Sequence, residues 1–185
     1  MEAKQRFVGA YINLTTKERI NFLMEHFGYF EQYHHAYRES IEERIACILS
    51  YERKKRENLG VRIMSRNVIS DITAQKAMEL VDIGQSIDHG KVSVKMIPDK
   101  DEREEIMEAI YEWKLMRSEH EILKRQLRML KPTDYGIMHP YLMREKTKRQ
   151  IAKELEIERS SVDKRIYRIR KCIVENMTSY IEVNG

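Results

Sequence analysis

Residues 147–173 read TKRQIAKELEIERSSVDKRIYRIRKCI, and this stretch indicates two helices joined by a tight turn. Thr147 and Gln150 have the spacing of a capping box and predict the start of the first helix. In a capping box the Thr hydroxyl accepts from the amide three residues on, and the Gln side chain reaches back to the first amide. Two capped amphipathic helices so close together predict a helix-turn-helix.

The end of the first helix is less regular than its start. Ile151 and Leu155 are four apart and share a helix face, and the small Ala152 beside them lets a second helix cross closely. Glu156 stands where such motifs usually have glycine, and a non-glycine residue in the left-handed region costs about 1 kcal/mol or more. We expect Ile157 to turn back into the core.

The second helix carries one apolar stripe with spacings of four, three and four, formed by Val162, Ile166, Ile169 and Ile173. Its start is open. Glu158 occupies the usual cap position and is a poor cap, whereas Ser160 with Asp163 offers a capping box two residues later.

Either start leaves the first turns of the second helix exposed, where a recognition helix meets base edges. The predicted base contacts are Arg159, Ser160, Asp163 and Lys164. Arg and Lys can donate hydrogen bonds to guanine, Ser can act as donor or acceptor, and Asp can accept from cytosine N4. The predicted phosphate contacts are Thr147, Lys148, Arg149, Tyr167, Arg168 and Lys171.

Charge supports a nucleic-acid partner for this segment. Residues 144–171 contain 11 Lys and Arg against 5 Asp and Glu, a net charge of +6, whereas residues 1–130 contain 22 of each and are neutral. The net +4 of the chain therefore comes from its C-terminal part. A localised basic surface of this kind is typical of nucleic-acid binding.

Composition predicts an all-α fold for the whole chain. Its 185 residues include only 7 Gly and 3 Pro, while 35% are charged and 42% hydrophobic. We expect a helical N-terminal region over 1–98, a long helix over 99–131 that serves as a connector or as a dimerising element, and a helix-turn-helix domain over 132–185. Val92, Val94 and Met96 alternate before Pro98, which suggests a short extended segment.

Other classes of function have little support. The six histidines are not spaced as metal ligands, and there is no phosphate-binding glycine loop or nucleophile motif, so we expect no enzymatic activity, no metal and no cofactor. The two cysteines, Cys47 and Cys172, indicate free thiols in a reducing compartment. Without a signal peptide or a long apolar run, a cytoplasmic protein with no membrane partner is expected.

The stretch from Leu127 to Ile173 resembles region 4 of bacterial sigma factors. The matching residues are Leu130, Tyr135, the Ile151–Leu155 segment, Ile157, Val162, Arg165 and Ile166. Residues 71–80, which read DITAQKAMEL, add to this resemblance. Together the two segments make the chain similar to phage-encoded sigma-like late transcription activators of the RinA/ArpU type. The resemblance implies activation of late promoters together with host RNA polymerase.

Two other functions remain open alongside a promoter-binding activator. One is the DNA-recognition subunit of a packaging machine, similar to a small terminase subunit, because such proteins also combine a helix-turn-helix with helical oligomerisation segments. The other is an adaptor that docks on RNA polymerase without reading DNA.

Overall fold

The computed structural model describes residues 11–58 and 72–184, and it is built of helices. They are α1 (Thr16–Glu25), α2 (Phe30–Asn58), α3 (Ile72–His89), α4 (Lys100–Arg128), α5 (Pro132–Leu142), α6 (Lys148–Glu154) and α7 (Arg159–Asn184). No strand occurs among the described residues, so the predicted all-α class is confirmed.

The chain divides into two compact units whose boundaries fall inside the long helices α2 and α4. One unit comprises Met1–His34 and Leu115–Gly185, and the other comprises His35–Lys114. This grouping differs from the sequence segments 1–98, 99–131 and 132–185, which follow chain order. The difference arises because α1, close to the N-terminus, packs against α7, close to the C-terminus.

Helix α1 contributes a buried face to the first unit. Thr15 and Glu18 form a complete capping box at its start, and Ile20 and Leu23 are fully buried. Just beyond α1, a Cβ on Gly28 would lie 3.0 Å from the carbonyl oxygen of Met143, so a side chain there would press on that backbone. A residue without a Cβ therefore suits this close approach.

Helix α4 buries a stripe of residues spaced three and four apart from Ile106 to Leu127. The stripe consists of Ile106, Ile110, Trp113, Met116, His120, Leu123 and Leu127, and the neighbouring Glu112 and Glu119 are buried as well. Asp99 precedes the helix, and its carboxylate accepts from the Glu102 amide at 2.9 Å. A short side chain before the first turn thus satisfies one of the free amides there.

The second unit contains the one predicted extended segment, and that prediction is wrong. The Ser93 carbonyl accepts from the amides of Met96 and Ile97, both at 3.0 Å, so the chain forms a turn at this point. Val92 and Ile97 are buried while Val94 is exposed. The apolar residues therefore alternate because buried side chains flank a turn, and not because they lie on the two faces of a strand.

Candidate nucleic-acid interface

Helix α6 begins as the sequence predicts. The Gln150 amide donates to Thr147 Oγ1 at 3.3 Å, and the Thr147 amide donates to Gln150 Oε1 at 2.8 Å. The Thr147 hydroxyl also donates to Gln150 Oε1 at 2.8 Å. Both polar groups of Thr147 are thus engaged in the cap, and its contact with phosphate stays a prediction.

The α6–α7 turn, residues 155–158, closes through a Schellman motif. The Glu156 amide donates to the Lys153 carbonyl at 3.3 Å, and the Ile157 amide donates to the Ala152 carbonyl at 3.1 Å. This pair of hydrogen bonds requires a left-handed residue just after the helix end. Glu156 adopts it with φ = 52°, as its position in the sequence predicted.

Burial around this turn follows the prediction only in part. Ile151 and Ala152 are buried and Ile157 is half-buried, but Leu155 is 46% exposed. Leu155 caps the C-terminus of α6 and still donates its amide to the Ile151 carbonyl at 3.1 Å, so it lies one helical turn beyond Ile151. The two residues nevertheless differ in burial, since Ile151 is buried and Leu155 is not.

Helix α7 begins at Arg159, which decides between the two predicted starts. Glu158 holds the cap position, and its carbonyl accepts from the Ser161 amide at 2.9 Å. The Ser160 hydroxyl donates to the Glu158 carboxylate at 3.0 Å. The alternative box between Ser160 and Asp163 does not form, since the Asp163 carboxylate faces Lys148 instead.

The residues predicted to contact bases occupy different electrostatic settings. Lys164 is exposed and has no ion pair among the described residues, whereas Arg159 Nε lies 3.7 Å from Asp163 Oδ2. Asp163 Oδ1 lies 2.6 Å from Lys148 Nζ. This hydrogen bond from Lys148, together with the nearby Arg159, lowers the pKa of the Asp163 carboxyl.

The residues predicted to contact phosphate are likewise divided. Lys148 reaches across to Asp163, and its ammonium also lies 5.6 Å from the centre of the Tyr141 ring. Arg149 and Tyr167 are exposed, and Arg149 has no ion pair within the described part of the chain.

Two further members of that set have acidic partners nearby. Arg168 lies 3.8 Å from Asp134, and Lys171 lies 3.9 Å from Glu175. Both cations are largely exposed, so these pairs are weak. A phosphate could displace either acid at little cost.

The basic side chains of this region differ in whether they already have a partner within the protein or are available to an anion. Within the described residues 144–171, the exposed basic side chains with neither an ion pair nor a side-chain hydrogen bond are Arg149, Lys153, Lys164 and Arg165, whereas Arg144 donates to the Glu25 carbonyl and the Tyr29 hydroxyl. Lys153 and Arg165 had no predicted role. Their types and positions were visible in the sequence, but their lack of acidic partners was not.

A cluster of potential metal ligands lies elsewhere in the first unit. Ligand atoms of Glu31, His120 and Glu121 lie within 4.8 Å of one another. Lys124 Nζ donates to both carboxylates, at 2.8 and 2.9 Å, and thus provides the cation that neutralises them. Burial lowers the pKa of His120 to about 4. Sequence spacing missed this cluster because Glu31 and His120 are far apart along the chain.

Comparisons with protein families, characterised proteins and solved structures found no match to this chain. Among the helices described, none combines the length and apolar character needed to span a membrane.

Proposed function

We propose that this protein binds double-stranded DNA sequence-specifically and regulates transcription, with α6 and α7 as a helix-turn-helix and α7 as the recognition helix. The observation that carries the proposal is the exposed cationic start of α7, held on a capped helix and a tight turn. Lys164 and Arg159 supply the donors that guanine O6 and N7 accept.

The packing of α7 supports this role. Val162, Ile166, Ile169 and Ile173 are all buried, so the stripe fixes one face of the helix in the core. The helix has 26 residues and is about 39 Å long, far longer than the width of the major groove. Its C-terminal half packs against the rest of the first unit through Met177, which leaves the N-terminal turns to meet DNA.

The distribution of cations supports a DNA partner over an acidic protein. Arg149 lies in the first turn of α6 and is exposed, so its guanidinium is free to contact a phosphate. Arg165 and Lys164 lie side by side near the start of α7. Exposed cations without internal partners can neutralise phosphates, and each phosphate that is neutralised releases counterions from the DNA, which makes the binding strongly salt-dependent.

The biological role follows from the resemblance in the sequence. We propose an activator of late promoters of a phage or prophage that acts with host RNA polymerase. A packaging subunit would share the DNA-binding surface but assemble into a large ring. Measuring the mass of the full chain in solution separates these roles, because a monomer or dimer supports the regulator and a ring supports packaging.

The experiment that tests DNA recognition uses the full-length chain and the duplex that copurifies with it, identified by sequencing. Arg159→Ala and Lys164→Ala should each weaken binding to that duplex by about 1–3 kcal/mol, with less effect on a scrambled duplex. Arg149→Ala should weaken binding to both duplexes equally and reduce the salt slope by about one. Arg117→Ala is the matched control, since this exposed cation on α4 has no ion pair among the described residues.

Two results would count against the proposal. If all variants bind both duplexes as the unmodified protein does, α7 is not the recognition helix. If the unmodified protein binds no duplex even at about 50 mM salt, where a basic DNA-binding protein should bind non-specifically, the polymerase-adaptor alternative is favoured.

A further inference from the structure

Asp163 stands at the centre of a chain of contacts that crosses three helices. Its Oδ1 lies 2.6 Å from Lys148 Nζ on α6, and its Oδ2 lies 3.7 Å from Arg159 Nε, one turn earlier on α7. The Lys148 ammonium in turn lies 5.6 Å from the centre of the Tyr141 ring on α5. The carboxylate therefore has a cation on each oxygen before any DNA is bound.

This arrangement suits the positioning of Arg159 better than the reading of a base by Asp163. A guanidinium reads guanine through two parallel N–H donors in a rigid fork. Asp163 Oδ2 lies 3.7 Å from Arg159 Nε, beyond hydrogen-bonding distance, so its attraction biases the Nε side of the guanidinium toward α7 without fixing it, and the terminal amino groups stay available. A cytosine N4 group, in contrast, would have to compete with Lys148 and Arg159 for the same carboxylate.

Lys148 also fits a supporting role better than a phosphate contact. Its side chain is half-buried, and its ammonium is placed between an aromatic ring and a carboxylate. Arg149, the next residue, is exposed and without an ion pair among the described residues, so it is the better phosphate contact.

We propose that Asp163 is a positioning residue, held by Lys148, that orients Arg159 toward a guanine and does not itself read a cytosine. This proposal rests on the proposed DNA-binding function. It assigns one guanine of the target site to Arg159, and it removes both Asp163 and Lys148 from the set of direct DNA contacts.

The test is selection of binding sites from a random duplex library by the full-length chain and its variants. Asp163→Asn keeps the shape of the side chain and removes its charge, and Lys148→Met keeps an aliphatic stem beside Tyr141. Both should lower the guanine preference at one and the same position by about tenfold, the selectivity expected of a bidentate contact. The double variant should add little, and Arg159→Ala should abolish the preference at that position.

Two further variants separate positioning from a general loss of charge or stability. Lys148→Arg preserves the ion pair with Asp163 and should keep the guanine preference. Lys171→Met removes an exposed cation and should lower affinity for all sequences without changing the preferred site. Melting temperatures measured in parallel should agree closely among the variants, since the Lys148–Asp163 pair is partly exposed to solvent and contributes little to stability.

Three results are distinguishable from the expected one. Loss of a cytosine preference at a separate position in Asp163→Asn, with Lys148→Met unaffected, would overturn the proposal in favour of direct reading by Asp163. Uniformly weaker binding by Lys148→Met, with an unchanged site preference, would overturn it in favour of a phosphate contact. Absence of any sequence preference in the unmodified protein would refute the proposed function itself, and this proposal with it.

Discussion

Replacing Glu156 with glycine is expected to stabilise the protein, because this residue holds a conformation that glycine adopts more easily. Its φ is 52°, and two hydrogen bonds of the α6–α7 turn fix it there. The left-handed conformation costs an L-residue about 1–2 kcal/mol, while the greater freedom of glycine in the unfolded chain costs about 0.5–1 kcal/mol. The expected net gain is about 0.5–1 kcal/mol in the free energy of unfolding.

Urea denaturation of the full-length protein measures this gain, and thermal melting should show a rise of about 1–4 °C for a chain of this size. Glu156→Gln is the first control, because it removes the carboxylate from the C-terminal end of α6 and keeps the Cβ. It should recover only the electrostatic part, a few tenths of a kcal/mol. If Glu156→Gly is no more stable than Glu156→Gln, the conformational argument is refuted.

Arg144 provides a second control at the same kind of position, since its φ is 57°. The Arg144 guanidinium donates to the Glu25 carbonyl at 3.2 Å and to the Tyr29 hydroxyl at 3.1 Å, and it lies over the Tyr29 ring, whereas the Glu156 side chain makes no such contact with the described residues. Arg144→Gly relieves similar backbone strain but loses these contacts. We therefore expect no gain in stability from this variant.

Two other predictions concern buried ionisable groups of the first unit. Because burial lowers the pKa of His120 to about 4, the unfolded chain binds a proton that the folded chain rejects, and stability should fall as pH decreases from about 6.5 toward 4. The test is urea denaturation at pH of about 7.5 and about 5 of the unmodified protein and of His120→Phe, which keeps a ring against Phe30. Between these pH values the variant should lose about 2 kcal/mol less unfolding free energy than the unmodified protein. Equal losses would show that His120 is not the cause. Glu119→Gln should cost about 3–5 kcal/mol of unfolding free energy, since Arg19 would keep a largely buried charge without its carboxylate. The same substitution at exposed Glu121 should cost less than about 1 kcal/mol, and similar losses at the two sites would contradict the account.

Local patterns in the sequence predicted much of the first unit. The capping box at Thr147 forms as its spacing predicted, because the interaction joins residues three apart on one turn, and the box at Thr15 has the same spacing. The stripe of α7 is buried for the same kind of reason, since helical periodicity alone decides which residues share a face. The left-handed Glu156 was also predictable from its place after a short helix.

Features that depend on distant residues were not predictable in this way. Spacing cannot show that Lys148 pairs with Asp163, because the pairing depends on how α6 and α7 cross. It likewise could not bring Glu31 beside His120. The sequence left the start of α7 open because Glu158, a poor cap at the usual position, competes with the Ser160–Asp163 box two residues later. That box does not form, because the Asp163 carboxylate pairs with Lys148.

Hydrogen–deuterium exchange of the full-length protein, with and without the duplex that copurifies with it, tests the central claim most directly. We predict that DNA slows exchange most strongly in peptides covering residues 147–168, where the candidate contacts lie. Peptides covering residues 77–114, which lie in the second unit, should change little. Slower exchange confined to the second unit, with residues 147–168 unaffected, would contradict the assignment of α6 and α7 as the DNA-binding element.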